Sequence, residues 1–243
     1  MSSLCTRGCD GGWLVDEATN TAKRCECEEE RAHVHRVRKV LRELPEGLRH
    51  VDFERAPIKD LDPDVQGVLR RYVQYHRRKI KDGRGLWIQG DPGTGKTAAA
   101  ALVAKKYSEL GHTVLVRSVP ALLSDIRGLQ AAENEKEWVE MRAQLVELDL
   151  LGLDDLGAEV ASPWALERLF ELINERESRN RALLVTTNFD PQQLKRRLGW
   201  RIVSRLFGIC GKPLVLSGPD HRELTARSPY DVDLDDEELH HAA

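Results

Sequence analysis

The sequence predicts an α/β protein with a central, mostly parallel sheet and helices on both faces, a three-layer arrangement. Short apolar, β-prone runs alternate with amphipathic helical segments along most of the chain, the order that produces parallel sheets. A glycine-rich stretch at 90–97 joins one such run, 85–89, to the helical segment 97–110. A second apolar run, 150–153, ends in two adjacent aspartates. These observations together predict the α/β fold class.

The glycine-rich stretch reads GDPGTGKT and matches the pattern G-x-x-x-x-G-K-[ST] at every fixed position. Such a turn points successive backbone N–H groups at phosphates, and the helix that follows adds the positive end of its dipole. Lys96 would reach the β- and γ-phosphates of ATP, and the Thr97 hydroxyl would bind Mg²⁺. The alternative is a glycine turn that binds nothing. The predicted ATP-binding residues are Gly90, Asp91, Pro92, Gly93, Thr94, Gly95, Lys96 and Thr97.

Length and composition set limits on the rest. A chain of 243 residues holds one sizeable domain and a small appendage. The net charge is −3 although 32% of residues are charged, so local clusters are more informative than the total. No apolar run approaches the roughly 18 residues of a membrane span, and the N-terminus lacks the apolar core of a signal peptide. We expect a cytoplasmic protein with no membrane partner.

Four of the five cysteines fall within the first 27 residues, in the pattern C-x3-C…C-x-C. In a reducing compartment such crowding favours metal over disulfides, and four thiolates suit tetrahedral zinc, although the second pair is closer than usual. Free thiols or a redox pair are the alternative, and His33 or His35 could replace a thiolate. The predicted zinc ligands are Cys5, Cys9, Cys25 and Cys27.

A basic amphipathic helix is predicted over 28–44, after the cysteines. It is either a solvated helix or a contact for a partner or nucleic acid. The chain as a whole is expected to have four parts. The predicted parts are an N-terminal zinc-binding and helical module, 1–50; a linker, 51–63; the main domain, 64–222; and an acidic tail expected to be disordered, 223–243.

Within the main domain, periodicity predicts the remaining elements in order. They are a helix over 65–81, a strand at 113–117, helices at 119–129 and 138–148, a strand at 150–153, a helix at 164–177, a strand at 182–187, a helical region at 195–205 and a last strand at 214–216. Two of these segments are basic, Arg70 to Arg84 and Lys195 to Arg205. A basic groove that follows phosphates gives affinity without sequence preference, so they predict binding to single-stranded DNA.

Polar residues at the ends of two strands complete the candidate site. Asp154 and Asp155 follow an apolar strand, where a carboxylate faces the phosphate loop across the binding crevice. Asp154 would hold Mg²⁺ and Asp155 would polarise the attacking water; an ordinary strand end is the alternative. Asn188 follows the strand at 182–187 and could position that water, or could simply form a turn.

This ordered set of motifs, at 90–97, 150–157, 186–188 and 201–206, resembles the AAA+ ATPases. More narrowly, it resembles the DnaC/DnaI helicase-loader branch. The segments DDLGAE, NER and GPDHR, at 154–159, 174–176 and 218–222, are also similar to that branch. The resemblance covers about Phe53 to Arg222 and implies an AAA+ ATPase domain over 64–222. The cysteine-rich start is similar to the zinc-binding N-terminal segments of some loaders.

The resemblance implies residue roles. Asn188 corresponds to sensor 1, and Arg205 to an arginine finger that acts on the ATP of a neighbouring subunit, so a homo-oligomer is implied; Arg201 is the substitute. The family usually has glutamate where this chain has Asp155, one methylene shorter, so hydrolysis is expected to be slow or partner-stimulated. The chain after Leu216 is too short for the C-terminal helical lid of most AAA+ proteins, so no sensor 2 residue is named.

The function implied by the resemblance is an ATP-dependent loader of a DnaB-type hexameric helicase onto single-stranded DNA. Lidless AAA+ domains also occur in the IstB transposition ATPases, which bind duplex DNA and recruit a transposase. The four-cysteine start distinguishes the two, because IstB-like proteins are not expected to carry it. A nucleotide-binding interaction module without significant turnover is a third reading.

Overall fold

The computed structural model of the protein describes residues 9, 13–16, 19, 21–27, 34–35, 37–38, 40, 43–131, 135–158 and 162–224. The predicted ligands Cys5 and His33, much of the predicted helix at 28–44 and residues 225–243 of the predicted tail lie outside the described residues.

A small hairpin comes first: strands β1 (Trp13–Asp16) and β2 (Thr21–Arg24) pair antiparallel. A 3₁₀ turn, Glu46–Leu48, precedes the main domain. The helices there are α1 (Pro63–Gln74), α2 (His76–Lys81), α3 (Lys96–Glu109), α4 (Val119–Ala131), α5 (Glu135–Glu147), α6 (Pro163–Ser178), α7 (Pro191–Leu198), α8 (Trp200–Cys210) and α9 (His221–Leu224). The strands are β3 (Leu86–Gly90), β4 (Val114–Ser118), β5 (Leu150–Asp154), β6 (Ala182–Thr187) and β7 (Leu214–Leu216).

The five strands of the main domain form one parallel sheet in the order β4-β5-β6-β3-β7. All residues of β5 and β6 are buried, as expected for strands covered on both faces. Because the strands are parallel, the ends of β3, β5 and β6 meet at one edge of the sheet, which brings the phosphate loop, the aspartates and Asn188 to the same side. The predicted α/β fold class is confirmed.

Helices cover both faces of the sheet. On one face, α1 and α3 pack against residues such as Ile88 and Leu150. On the other face, α4 to α8 pack against their chain neighbours Trp87 and Leu151. Neighbouring residues such as Trp87 and Ile88 lie on opposite faces because successive side chains along a strand point to opposite sides of the sheet. The result is the predicted three-layer arrangement.

The segment 51–63, predicted as a linker, contributes to the first of these cores. Val51, Phe53, Ile58 and Leu61 are all buried there. Because this segment follows an irregular path, its apolar residues show neither the helical nor the strand period. The predicted N-terminal module also touches this core, since Val40 and Leu44 are buried in it. The domain boundaries themselves stay a prediction.

Two predicted helical regions are each divided in two. Tyr75, with φ −95° and ψ 26°, separates α1 from α2 within the predicted helix at 65–81. Gly199, with φ 85° and ψ 155°, separates α7 from α8. A positive φ favours glycine, so the second break is built into the sequence. Within the described part of the chain, no helix is long and apolar enough to cross a membrane.

Arg176 of α6 is fully buried and joins α5 to the sheet. Its guanidinium donates hydrogen bonds to the carbonyl oxygens of Leu145, Val146 and Leu148, and to that of Ala182 at the start of β6. Carbonyls at a helix C-terminus lack partners within the helix, so the arginine satisfies groups that burial would otherwise penalise. Burial lowers the pKa of Arg176 to about 9, which still leaves it charged at neutral pH.

Candidate nucleotide-binding site

The phosphate loop joins β3 to α3 and has the backbone that its glycines predict. Gly93 and Gly95 have φ of 78° and 89°, in the left-handed region that favours glycine. The Thr94 hydroxyl donates to the Asp91 carbonyl at 2.8 Å, which closes the loop. Lys96 is only 5% exposed, and its Nζ also donates to the Asp91 carbonyl, at 2.6 Å. The ammonium is therefore held at the loop, within reach of an incoming phosphate.

Thr97 and Asp154, which are 57 residues apart in sequence, meet at the end of the sheet. The Thr97 hydroxyl lies 3.2 and 3.3 Å from the two carboxylate oxygens of Asp154. A hydroxyl and a carboxylate beside a phosphate loop are the oxygen ligands that Mg²⁺ takes in P-loop proteins. Burial, reinforced by the charge of Asp155, raises the pKa of Asp154, whereas hydrogen bonds from Thr186 and Thr97 oppose that rise. A divalent cation would favour the ionised form.

The hydroxyl of Thr186, on β6, forms hydrogen bonds with both aspartates. It donates to Asp154 Oδ1 at 2.6 Å and accepts from the backbone N–H of Asp155 at 2.9 Å. Asp155 has a φ of 57°, a left-handed conformation that aspartate adopts more readily than most residues. Thr186 is not among the site residues predicted from the sequence. The signal available was a hydroxyl residue on a strand predicted to end beside the aspartates.

The other predicted catalytic residues lie on two elements. Asn188 directly follows β6 and is half-buried, at the sheet edge that also carries the aspartates. Arg205 of α8 is paired within its own chain, with Nη1 2.5 Å from Glu177 Oε2 of α6. The guanidinium carbon of Arg201 lies 4.1 Å from the centre of the Phe170 ring, also on α6. Both arginines therefore contact α6 in the single chain.

The first residue of α9 and the residue before it pack against the phosphate loop. This contact was not predicted from the sequence. The His221 backbone N–H donates to the Gly93 carbonyl at 3.1 Å. A Cβ atom at Gly93 would lie 1.8 Å from a carboxylate oxygen of Asp220. Gly93 is thus required both by its positive φ and by this close approach. The contact connects the end of the described chain to the nucleotide loop.

Three of the four predicted zinc ligands come together near the hairpin. The sulfur atoms of Cys9, Cys25 and Cys27 all lie within 4.8 Å of one another, and those of Cys9 and Cys27 are 3.3 Å apart. Cys25 and Cys27 are buried. Three thiolates at this separation fit a tetrahedral zinc ion with one further ligand. His35 is exposed and lies outside this cluster.

We expect purified protein to contain one zinc ion per chain, bound by these three cysteines together with Cys5. Structural zinc contributes roughly 10–16 kcal/mol to folding of such small segments, so Cys27→Ser should abolish zinc retention and unfold the N-terminal segment only. Metal analysis gives the stoichiometry, and nucleotide binding shows that the main domain persists. Cys210→Ser, at the cysteine outside the cluster, is the matched control and should keep its zinc. A stoichiometry near zero in wild-type protein, under reducing and metal-replete conditions, would contradict the assignment.

The parallel sheet, the loop at its edge and the Thr97–Asp154 pair define a P-loop ATP-binding domain of the AAA+ class. The sequence model of the family described as "IstB-like ATP binding protein" matches residues 30–203. The chain belongs to this family.

Known relatives and structures agree with that assignment. The replicative helicase loader DnaC of Buchnera aphidicola subsp. Baizongia pistaciae is 28% identical over 133 residues, which cover 55% of this chain and 54% of the relative. Among solved structures, a DnaC helicase loader matches with TM-score 0.57 and 25% identity, covering 63% of this chain and 89% of that one. A DnaI structure matches with TM-score 0.56 and 26% identity, covering 76% and 93%. The match spans about half the length of the Buchnera loader.

Proposed function

We propose that this protein loads a DnaB-type hexameric helicase onto single-stranded DNA and uses ATP binding and hydrolysis as its switch. The observation that carries the proposal is an AAA+ nucleotide site on a chain similar over half its length or more to the DnaC and DnaI helicase loaders. The proposal includes the partners predicted from the sequence: the helicase, single-stranded DNA and further copies of the chain.

The residues of the site divide the chemistry among them. The loop N–H groups and Lys96 bind the β- and γ-phosphates, and the hydroxyl of Thr97 and the carboxylate of Asp154 are the ligands for Mg²⁺. When bound, Mg²⁺ supplies positive charge to the phosphates. Asp155 polarises the attacking water, and Asn188 helps to position it. Asp155 lies beside Asp154 and is oriented by the Thr186 hydroxyl, so its position depends on β6.

ATP acts as a switch because its γ-phosphate is bound from two sides. One protomer supplies the phosphate loop and its neighbour supplies Arg205. Assembly with ATP would hold the loader on the helicase, and hydrolysis would remove the group that links the protomers. The N-terminal cysteine module would grip the helicase.

The test is assembly with the DnaB-type helicase of the cell or phage that encodes the protein. In the presence of ATP the two should co-elute, and helicase should transfer to single-stranded DNA circles only when loader is added. Lys96→Ala is the control and should fail to promote transfer. No co-elution and no transfer with folded, ATP-binding protein would overturn the proposal.

The second candidate is a transposition ATPase, which the description of the matched family favours. It predicts coating of duplex DNA in preference to single strands, and recruitment of a transposase. The cluster of Cys9, Cys25 and Cys27 favours the loader instead. The third reading, a binding module without turnover, predicts no phosphate release from ATP even with helicase and DNA present.

A further inference from the structure

Trp200 is the most exposed of the large apolar side chains that the structure describes. It occupies the first position of α8, and 71% of its surface is accessible. By contrast, Trp87 and Trp138 are buried in the core. A single exposed apolar side chain needs no explanation on its own. Trp200, however, is not isolated, because charged residues lie near it in the sequence.

Four cations surround Trp200 in sequence, on α7 and on the first turn of α8. In the part of the chain that the structure describes, none of them lies within 4 Å of a carboxylate oxygen. The four are Lys195, Arg196, Arg197 and Arg201. Three other arginines on this side of the sheet are paired with carboxylates: Arg142 and Arg179 contact Glu175, and Arg205 contacts Glu177. Arg127 of α4 instead lies over the Trp164 ring. Four cations without a carboxylate partner among the described residues therefore lie within five residues of Trp200 in the sequence.

This surface is connected to the nucleotide site. Arg197 Nε donates to the carbonyl of Gly157 at 2.7 Å, two residues beyond Asp155. The Arg197 guanidinium also lies 4.3 Å above the Phe189 ring, next to Asn188. The far end of α8 contacts the start of β3, since the Ile209 carbonyl accepts from Gly85. Trp200 thus lies at the end of α8 nearer the phosphate-loop edge of the sheet.

The other basic cluster, Arg70 to Arg84, lies elsewhere and is partly neutralised. Arg70 pairs with Glu54, and Arg78 with Asp82. The helix α2 leads into the start of β3, at the sheet edge opposite the phosphate loop. Its exposed aromatic residue is Tyr75, at 53%. Among the described residues, the other cations of this cluster also have no carboxylate within 4 Å: Arg71, Arg77, Lys79, Lys81 and Arg84. The two clusters therefore differ not in unpaired charge but in their exposed aromatic residue, since Trp200 is more accessible than Tyr75.

We propose that the surface formed by Lys195, Arg196 and Trp200 binds single-stranded DNA, with the Trp200 indole stacked on a base and the cations on neighbouring phosphates. The inference rests on the proposed loader function and assigns its DNA contact to this surface rather than to the cluster at 70–84. Stacking on an aromatic side chain requires an unpaired base and tolerates any sequence. Arg197, next to Arg196, connects this surface to the segment that follows Asp154 and Asp155, through its hydrogen bond to the Gly157 carbonyl.

The experiment measures binding of the full chain to an oligothymidylate of about 20 nucleotides, by anisotropy, at several salt concentrations. Trp200→Ala should weaken binding roughly 5- to 150-fold, the loss expected for one stacked base, with little change in the salt slope. Trp200→Phe should recover part of that loss. Arg196→Ala should instead reduce the salt slope by about one. Tyr75→Ala, the matched aromatic control on the other cluster, should bind as wild type does.

Intrinsic fluorescence provides a second measurement, because a stacked base quenches an indole. Oligothymidylate should quench the wild type more than Trp200→Phe, whereas polyphosphate should quench both equally. ATP binding by every variant shows that it is folded.

The outcomes separate the inference from the function on which it rests. Wild-type binding with Trp200→Ala unchanged would overturn the stacking surface while the loader proposal stands. Loss of self-association by Trp200→Ala, with DNA affinity retained, would mean that a second copy covers the indole, and would also overturn it. A wild type that binds no single-stranded DNA would overturn the inference, and the helicase co-elution experiment would then decide the proposed function independently.

Discussion

Lys96→Ala is expected to abolish ATP binding, whereas Asp155→Asn should retain binding and lose turnover. The Lys96 ammonium already lies in the loop, 2.6 Å from the Asp91 carbonyl, so its loss removes positive charge where the phosphates bind. The Asp155 backbone N–H donates to the Thr186 hydroxyl, whereas its carboxylate is proposed to act only on the attacking water. Titration with a fluorescent ATP analogue measures binding, and phosphate release measures turnover.

The choice of replacement at position 155 matters. Its φ of 57° is tolerated by asparagine, whereas alanine adopts it at a cost. Asp155→Asn therefore removes the charge and keeps the backbone, and Asp155→Ala serves as the comparison. Asp155→Glu restores the residue usual in AAA+ proteins and should raise turnover if the shorter side chain limits it. Equal loss of ATP binding in Lys96→Ala and Asp155→Asn would contradict the division of roles.

The geometry of the candidate nucleotide site could be predicted from the sequence, because its motifs encode backbone conformation at fixed spacing. Glycines at 93 and 95 specify positive φ, and an apolar strand that ends in aspartate specifies a carboxylate at the sheet edge. Parallel strands then bring Thr97 within 3.2 Å of Asp154. The roles of catalytic residues, which depend on ATP, helicase and neighbouring subunits, stay predictions.

Contacts between distant segments could not be predicted in the same way. The bonds from Thr186 to both aspartates depend on the register in which Leu153 of β5 faces Val185 of β6. The burial of Arg176 depends on how α5 ends beside the sheet. Neither register nor helix packing leaves a local signal in one sequence. The pairing of Arg205 with Glu177 is a contact of this kind, and it sharpens the test of the arginine finger.

Arg205→Ala is expected to lower ATPase activity of the assembled protein by about 10³- to 10⁵-fold with little effect on ATP affinity, because a guanidinium at the γ-phosphate stabilises charge as the bond breaks. The finger is proposed to act on the ATP of a neighbouring subunit, so Arg205 must leave Glu177 on assembly. An ion pair this accessible, with side chains 40% and 29% exposed, contributes under about 1 kcal/mol. Binding to a phosphate would readily replace it.

Glu177→Gln separates a finger from a structural ion pair. If the pair only supports the fold, Glu177→Gln and Arg205→Ala should produce similar, small changes in stability and activity. If Arg205 is the finger, Glu177→Gln should keep or raise ATPase activity because it releases the guanidinium, while Arg205→Ala loses it. Arg201→Ala is tested in parallel, since Arg201 is the substitute candidate on the same helix.

Mixing two inactive proteins then shows whether the arginine acts across an interface. Arg205→Ala retains an intact phosphate loop, and Lys96→Ala retains an intact Arg205, so a mixed assembly contains some interfaces at which both are present. Those interfaces should restore part of the ATPase activity that each protein lacks alone. The mixture should be assembled on helicase and DNA, and mixed assemblies confirmed by pull-down through a tag on one partner. Mixed assemblies without any recovery of activity would mean that Arg205 acts within its own chain, through the contact with Glu177.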